Sequence, residues 1–200
     1  MASPAKVAPV ATRRPKHAGR DRSLEAELKF RLDGASDHAR LRGRLRELGA
    51  ESEGAYDEEN IRFTVPSKSK VSLRLRILDG GKAGIITTKG PARFNRGIKI
   101  REETEVEVAD AATARDLLES LGYGVEFVFH KHRASWRVAE VSVTLDTLDF
   151  GFFVELEGAP EALPGAAKLL GLNPKQAIRQ SYSAMARDHL RETKKVAARS

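Results

Sequence analysis

Apolar and polar residues alternate with a period of two through much of the chain, the pattern of strands that show different chemistry on their two faces. From Leu24 to Leu32, Leu24, Ala26, Leu28, Phe30 and Leu32 share one face, and Glu25, Glu27, Lys29 and Arg31 share the other. Val71, Leu73, Leu75 and Ile77 oppose Arg74 and Arg76 in the same way. A strand is predicted from Ile85 to Lys89, ending at the Gly90-Pro91 turn. Another runs from Ile98 to Val108, with Lys99, Arg101, Glu103, Glu105 and Glu107 on one face. Phe127 to Val138 carries Lys131 and Arg133, Val141 to Leu145 ends at Asp146, and Phe153 to Glu157 places Glu155 and Glu157 together.

Short helices separate these strands. Ser36 or Asp37 can cap one that runs to about Leu48, with Leu41, Leu45 and Leu48 on a stripe and Gly49 as the stop. Asp110 can cap a second, with Ala114, Leu117, Leu118 and Leu121 inward and Gly122 after it. A third runs from Pro164 to Leu170 and stops at Gly171. Asn173-Pro174 opens a fourth that reaches about Leu190, with Ile178, Tyr182 and Met185 on its buried side. Glu-x-Glu strands at 25, 103 and 155 each precede a helix ending in Leu-Gly, at 48–49, 121–122 and 170–171. The unequal spacing implies pseudo-symmetric halves rather than a solenoid.

An antiparallel strand with one charged face normally turns it to water. Here the polar positions are nearly all full charges, undiluted by Thr, Ser or Gln, with acids and bases clustered separately. The expected fold is therefore α+β: a closed or nearly closed antiparallel β-barrel with helices packed outside and the charged faces lining a lumen. Burying those ions dry would cost several kcal/mol each. The lumen must be wet and filled by something that pairs with both signs. A polyphosphate with divalent cations does so, since Lys and Arg neutralise phosphate oxygens and carboxylates hold Mg²⁺ or Mn²⁺.

Composition narrows the picture. Of 200 residues 40% are hydrophobic, enough for a core, but no apolar run nears the roughly 18 residues of a membrane helix. Cysteine is absent, so a metal must sit on oxygen or imidazole, and a reducing, cytoplasmic location is expected. The net charge is +7, but residues 1–22 carry +5 and 191–200 carry +3, leaving −1 for 23–190. Three segments follow: a disordered basic tail at 1–22, a folded domain at 23–190 and a basic tail at 191–200. The head has no secretory h-region. Its lack of acids before Asp21 leaves a transit peptide open, against scarce Ser and early prolines. Nucleic-acid binding, which needs an open basic face with aromatics, is disfavoured.

At Glu25-Ala26-Glu27-Leu28-Lys29 the chain resembles the opening strand of the CYTH superfamily, the triphosphate tunnel metalloenzymes. Leu73-Arg74-Leu75-Arg76 is similar to that family's Leu-Arg-x-Arg strand, and Thr87-Thr88-Lys89-Gly90-Pro91 to its Lys-Gly-Pro strand end. Arg101 to Glu105, Lys131-His132-Arg133, Leu145-Asp146, Val154 to Gly158 and Ser181-Tyr182 follow in the family's order. The resemblance covers roughly 23 to 190. It implies a triphosphate tunnel in which Glu25, Glu27, Asp146, Glu155 and Glu157 coordinate metal. Lys29, Arg74, Arg76, Lys89, Arg101, Lys131 and Arg133 would then bind the triphosphate. Glu103 and Glu105 serve either a metal or the positioning of those bases. Lys29 is the candidate catalytic residue, for nucleophile activation, because flanking cations lower a lysine pKa.

The Glu-x-Glu-Leu-Lys-Phe-Arg run, Leu-Gly-Tyr at 121–123 and Lys-x-Arg-x-Ser at 131–135 look most like the class IV adenylyl cyclase and thiamine triphosphatase-like subgroup. That implies an enzyme converting ATP to cyclic AMP and pyrophosphate. The alternative is a triphosphatase acting on inorganic, nucleoside or thiamine triphosphate, and a third reading is a non-catalytic polyphosphate-binding module. The expected cofactor is Mg²⁺ or Mn²⁺, and the expected partner is a nucleotide or polyphosphate substrate, with no membrane and a homodimer left open. One stretch departs from the family: Glu59 to Thr64 carries Arg62 where an aromatic is expected. His130, His132 and Trp136 read as exterior, core or rim residues rather than metal ligands or stacking platforms.

Overall fold

A closed barrel accommodates this pattern, because one parity of each strand then faces the lumen and the other faces a covering helix or solvent. The computed structural model describes residues 23–66 and 68–198, so the head read as a basic tail lies outside them. In chain order the strands are β1 (Ser23–Leu32), β2 (Glu51–Phe63), β3 (Ser72–Leu78), β4 (Gly84–Lys89), β5 (Arg93–Asn95), β6 (Ile98–Val108), β7 (Val125–Val138), β8 (Val141–Leu148) and β9 (Gly151–Glu157). The helices are α1 (Ala35–Glu47), α2 (Ala111–Ser120), α3 (Leu163–Leu169) and α4 (Tyr182–Ala197). Eight strands close antiparallel in the order β1-β9-β8-β7-β2-β3-β4-β6, and β6 returns to β1 through pairs from Ser23–Glu103 to Glu27–Lys99. The short β5 pairs only with β6, through a two-residue turn at Arg96 and Gly97, both with positive φ.

The expected pseudo-symmetry is present. The units β1-α1-β2-β3-β4 and β6-α2-β7-β8-β9 repeat one topology with their first strands exchanged: β1 pairs with β9 and β6, β6 pairs with β4 and β1, and β2 meets β7. Gly49, Gly122 and Gly171, each just after a helix, sit at φ 67°, 88° and 73°, where a side chain would be strained. Leu28, Val143, Val154 and Leu156 turn outward from the barrel onto Leu41 and Leu45 of α1 and Leu163 of α3. Ile61, Phe63, Leu73 and Leu75 pack beneath Ala111 of α2. Phe129 and Phe153 share parity with the inward-facing charges and point inside, where Tyr182, Met185 and Ala186 of α4 pack on them. That helix therefore closes one end of the barrel.

Three local expectations are corrected. The N-cap of α1 is Gly34 with no side-chain bond, while Asp37, a turn later, accepts from the Asp33 N–H at 3.0 Å. Asp110 does cap α2, accepting from Thr113 N at 3.0 Å, but Leu117 and Leu121 are 58% and 65% exposed because Ala111 and Ala114 make the close contact. Asn173-Pro174 opens only a 3-10 turn, Pro174–Gln176. The next residues are held along β1 by Ile178 N donating to the Lys29 carbonyl at 2.7 Å, so the last helix waits for its cap at Ser181 and runs on to Ala197.

Gly84 shows how tightly α2 is seated. A Cβ there would lie 2.9 Å from Leu75 Cδ1 and 3.0 Å from Ala111 Cβ, whereas Gly43 in α1 has open space around it. Gly84→Ala is expected to lower unfolding stability by about 1–3 kcal/mol through overpacking. Gly43→Ala is expected to raise it by about 0.5–1 kcal/mol through helix propensity. Urea unfolding of both variants checks the contrast.

Candidate active site

The inward side chains meet around a cavity of about 290 Å³. Thirteen of the fourteen residues singled out from the sequence line it; the exception is Asp146, which lies fully buried behind the wall. Nine bases and six carboxylates border the space, so its wall is cationic by three.

The seam of β1 and β6 holds one cluster. Lys99 donates to Glu27 at 2.8 Å, Arg101 Nε donates to Glu103 Oε1 at 2.8 Å, and Lys89 from β4 reaches Glu103 and, at 3.5 Å, Glu25. Glu25 also shares hydrogen bonds with Glu103 and Glu157. Two carboxyls in contact need a proton between them. Burial, and then Glu25 itself, push Glu103 up to about 7. Burial acts the same way on Glu25, but Lys89, those two carboxyls and Arg101 outweigh it and hold Glu25 below the usual carboxylate range.

The opposite wall is built on Glu58, which pairs across the β2–β7 seam with Lys131 at 2.9 Å and lies 3.6 Å from Arg76 and 3.9 Å from Arg133. It is fully buried, yet these cations overcome burial and keep it well below an ordinary carboxylate. Arg133 forks onto Asp146 at 2.7 and 2.6 Å and reaches Glu155 at 2.5 Å. Asp146 also accepts from the Tyr182 hydroxyl at 2.7 Å. Lys29 sits 3.1 Å from Glu155 and 3.9 Å from the centre of the Tyr182 ring, and donates to the Gln180 carbonyl at 3.4 Å. Burial and the neighbouring Arg133 push Lys131 down to about 8, with Asp146 and Glu58 acting in the other direction.

On the third side, Arg74 donates to Asn60 and Thr87, and Arg76 donates to Glu105 at 3.3 Å. Burial, with Arg76 next to it, brings Arg74 down to about 10. Arg62, Arg74 and Arg76 each keep a buried Nε–H with no acceptor. Donors left this way are costly unless an anion arrives to take them.

Sequence reading missed Glu58, Asn60 and Arg187, and noted Arg62 only as a departure. A signal was present in β2, where Glu58, Asn60 and Arg62 alternate with Ile61 and Phe63, all of them buried. Arg187 stands on the face of α4 that includes Ser183 and Ala184, so only the helix placement reveals it. His130 and His132 lie on the outer face, paired with Glu59 and Asp57.

The family model of the CYTH domain matches residues 23–182. The chain belongs to the CYTH domain family. Among CYTH relatives, a protein of Methanocaldococcus jannaschii, provisionally named an adenylate cyclase, is 26% identical over 80% of this chain and 96% of its own. The structure of a Pyrococcus horikoshii protein superposes with a TM-score of 0.67 at 27% identity, covering 79% of this chain and 96% of that one. A Hippeastrum protein shares the fold, with a TM-score of 0.64 at 21% identity over 82% of this chain and 96% of that one. It is described as a provisional adenylyl cyclase with a dominant triphosphatase activity.

Glu58 supplies a test of the charged CYTH barrel. Its folded pKa is depressed, so its contribution is present above the unfolded value and is lost as pH falls through the folded one. Glu58→Gln leaves Lys131 with one carboxylate fewer and should cost about 3 kcal/mol at neutral pH. The gap to the parent should narrow below about pH 4, as chemical unfolding at several pH values would record.

Proposed function

We propose that the barrel binds a triphosphate together with divalent metal ions and cleaves it, with hydrolysis as the reaction. The observation that carries this reading is the cationic excess of three on a narrow, enclosed wall, together with the three buried guanidinium donors that lack acceptors. A triphosphate carries about four to five negative charges near neutral pH. With one divalent cation it is left with about two to three, still an anion of the sign that the lining bases attract. Arg62, Arg74, Arg76, Arg101, Lys89 and Lys131 are the proposed phosphate contacts, with Arg133 and Lys29 held in place by Asp146, Glu155 and Tyr182.

Among the described residues no three carboxylates or imidazoles converge into a finished coordination shell. The donor chemistry nevertheless fits a hard cation. Glu25 lies against Glu103 and Glu157, all three of them oxygen ligands that could share a cation. Mg²⁺ and Mn²⁺ suit such a set, because they bind through one or two carboxylates plus substrate phosphate. When bound there, the ion supplies charge neutralisation at the phosphate oxygens. The protein's own part is to align the chain in line with an attacking water and to meet developing charge with fixed N–H donors. Asp146, with its oxygens already taken by Arg133 and Tyr182, is proposed as a positioning residue rather than a ligand.

Hydrolysis is preferred to cyclisation because, among the described residues, neither aromatic that borders the lumen offers a free stacking face. Phe129 packs inside the α4 cluster, and the Tyr182 ring has Lys29 over it and Lys131 5.4 Å away. The activity described for the Hippeastrum protein supports the same choice. The name of the Methanocaldococcus relative favours the second reading, a cyclase that turns ATP into cyclic AMP and pyrophosphate.

Purified protein with tripolyphosphate, ATP or thiamine triphosphate, each with Mg²⁺ or Mn²⁺, is expected to release orthophosphate, and chelation should abolish this. Arg74→Ala should lower kcat/KM by about a hundredfold. Cyclic AMP with equimolar pyrophosphate would instead assign the cyclase reaction. No metal-dependent product from folded protein would overturn both.

A further inference from the structure

A second cavity, of about 410 Å³, opens beside the first and shares Ser72, Lys89, Arg101 and Ser181 with it. It lies between the β5 ribbon, the approach to β3 and the segment leading into α4. Its wall differs from that of the tunnel in one respect: five bases, Lys70, Lys89, Lys99, Arg101 and Arg179, line it and no carboxylate does. Three of these are engaged from the tunnel side by Glu27, Glu25 and Glu103, while Lys70 and Arg179 are exposed and stand at the outer margin. The Arg179 guanidinium lies 5.1 Å from the centre of the Phe94 ring on the ribbon. That contact occupies one face of a ring that stays 39% exposed, so it is the five bases that point the cavity's chemistry towards an anion.

We propose that this annex binds the part of the substrate that extends beyond the tunnel, and that this part is a further run of phosphates. The preferred substrate class is a linear inorganic polyphosphate longer than three phosphoryl groups. The proposal rests on the triphosphate reading of the tunnel. One end of the chain occupies the tunnel, and the next phosphates pass Lys89 and Arg101 to reach Lys70 and Arg179. With no carboxylate on this wall to hold a metal ion, the basic side chains supply the protein's countercharge to these phosphates. Their binding should therefore depend on salt more steeply than that of the triphosphate.

The test compares tri-, tetra- and longer linear polyphosphates by calorimetric affinity and by kcat/KM with Mg²⁺, in the parent and in a Lys70→Ala/Arg179→Ala double variant. Neither residue borders the tunnel cavity, so triphosphate behaviour should be unchanged. In the parent, chains of five or more phosphates should bind about tenfold more tightly than triphosphate. The double variant should lose that advantage, and its slope of log affinity against log salt should fall by about one to two. Equal affinity for all chain lengths in a parent that binds triphosphate would overturn the annex proposal alone. So would equal losses for every chain length in the variant, or a loss confined to ATP, which would make the annex a nucleoside site. Failure of the parent to bind triphosphate at all would instead overturn the reading of the tunnel on which this one stands.

Discussion

Everything in this fold follows from the closure of a sheet whose strands are charged on one face. Once β6 returns to β1, every inward residue has to live with every other in one narrow space, away from bulk water. Isolated ions there would be prohibitively unfavourable, so most find a counter-charge across a strand pair or across the lumen, with buried Arg62 a conspicuous departure. The register arranges much of this directly: Glu58 stands opposite Lys131, and Arg133 opposite Asp146. Two kinds of carboxylate result. Glu58 and Asp146 are fully buried, and each is held by more than one cationic partner. Glu25 and Glu103 instead lean on one another at the seam, with Lys89 reaching both and Arg101 donating to Glu103.

The two-fold repeat explains why the wall is asymmetric in charge although the backbone is not. β3 and β4 of the first half bring Arg74, Arg76 and Lys89 to the lumen, while the corresponding β9 brings Glu155 and Glu157, with Asp146 of β8 buried behind them. A duplicated scaffold has thus acquired a basic side and an acidic side. A ligand carrying both phosphate and metal meets both at once, which a wall of one sign could not offer.

Much of the barrel was legible because the period-two pattern is strong wherever the outward face meets a helix. Leu28, Leu75, Val143 and Leu156 are all fully buried in strands read from alternation alone. The pattern fails where the barrel exterior is bare. Residues 51–57 of β2 are polar on both faces, and only their pairing with β7 makes them a strand. The three-residue β5 is too short to show a period, and with it the annex was invisible. The fourth helix was misplaced for another reason. Asn173-Pro174 is a sound local start signal, but a tertiary hydrogen bond from Ile178 to β1 overrides it. Of the site residues, those on β1, β3, β4, β6, β7 and β9 could be found by parity. Arg187 could not, because its approach depends on how α4 is set against the barrel end.

Under the proposed reading, the ion pairs along the wall constrain how binding proceeds. Lys89 and Arg101 are the bases best placed to receive phosphate at the β1–β6 seam, and both are engaged with Glu103. Drawing them onto a phosphate alone would leave Glu25 and Glu103 facing one another with fewer counter-charges. Placing a cation alone on those carboxyls would leave Lys89 and Arg101 crowded by like charge. Either step by itself trades one unpaired ion for another. Taken together they exchange every pair for a new one, so metal and phosphate should enter as a coupled unit, each raising the affinity for the other. On this view the ion pairs of the tunnel keep its charges balanced with the same side chains that a ligand would engage.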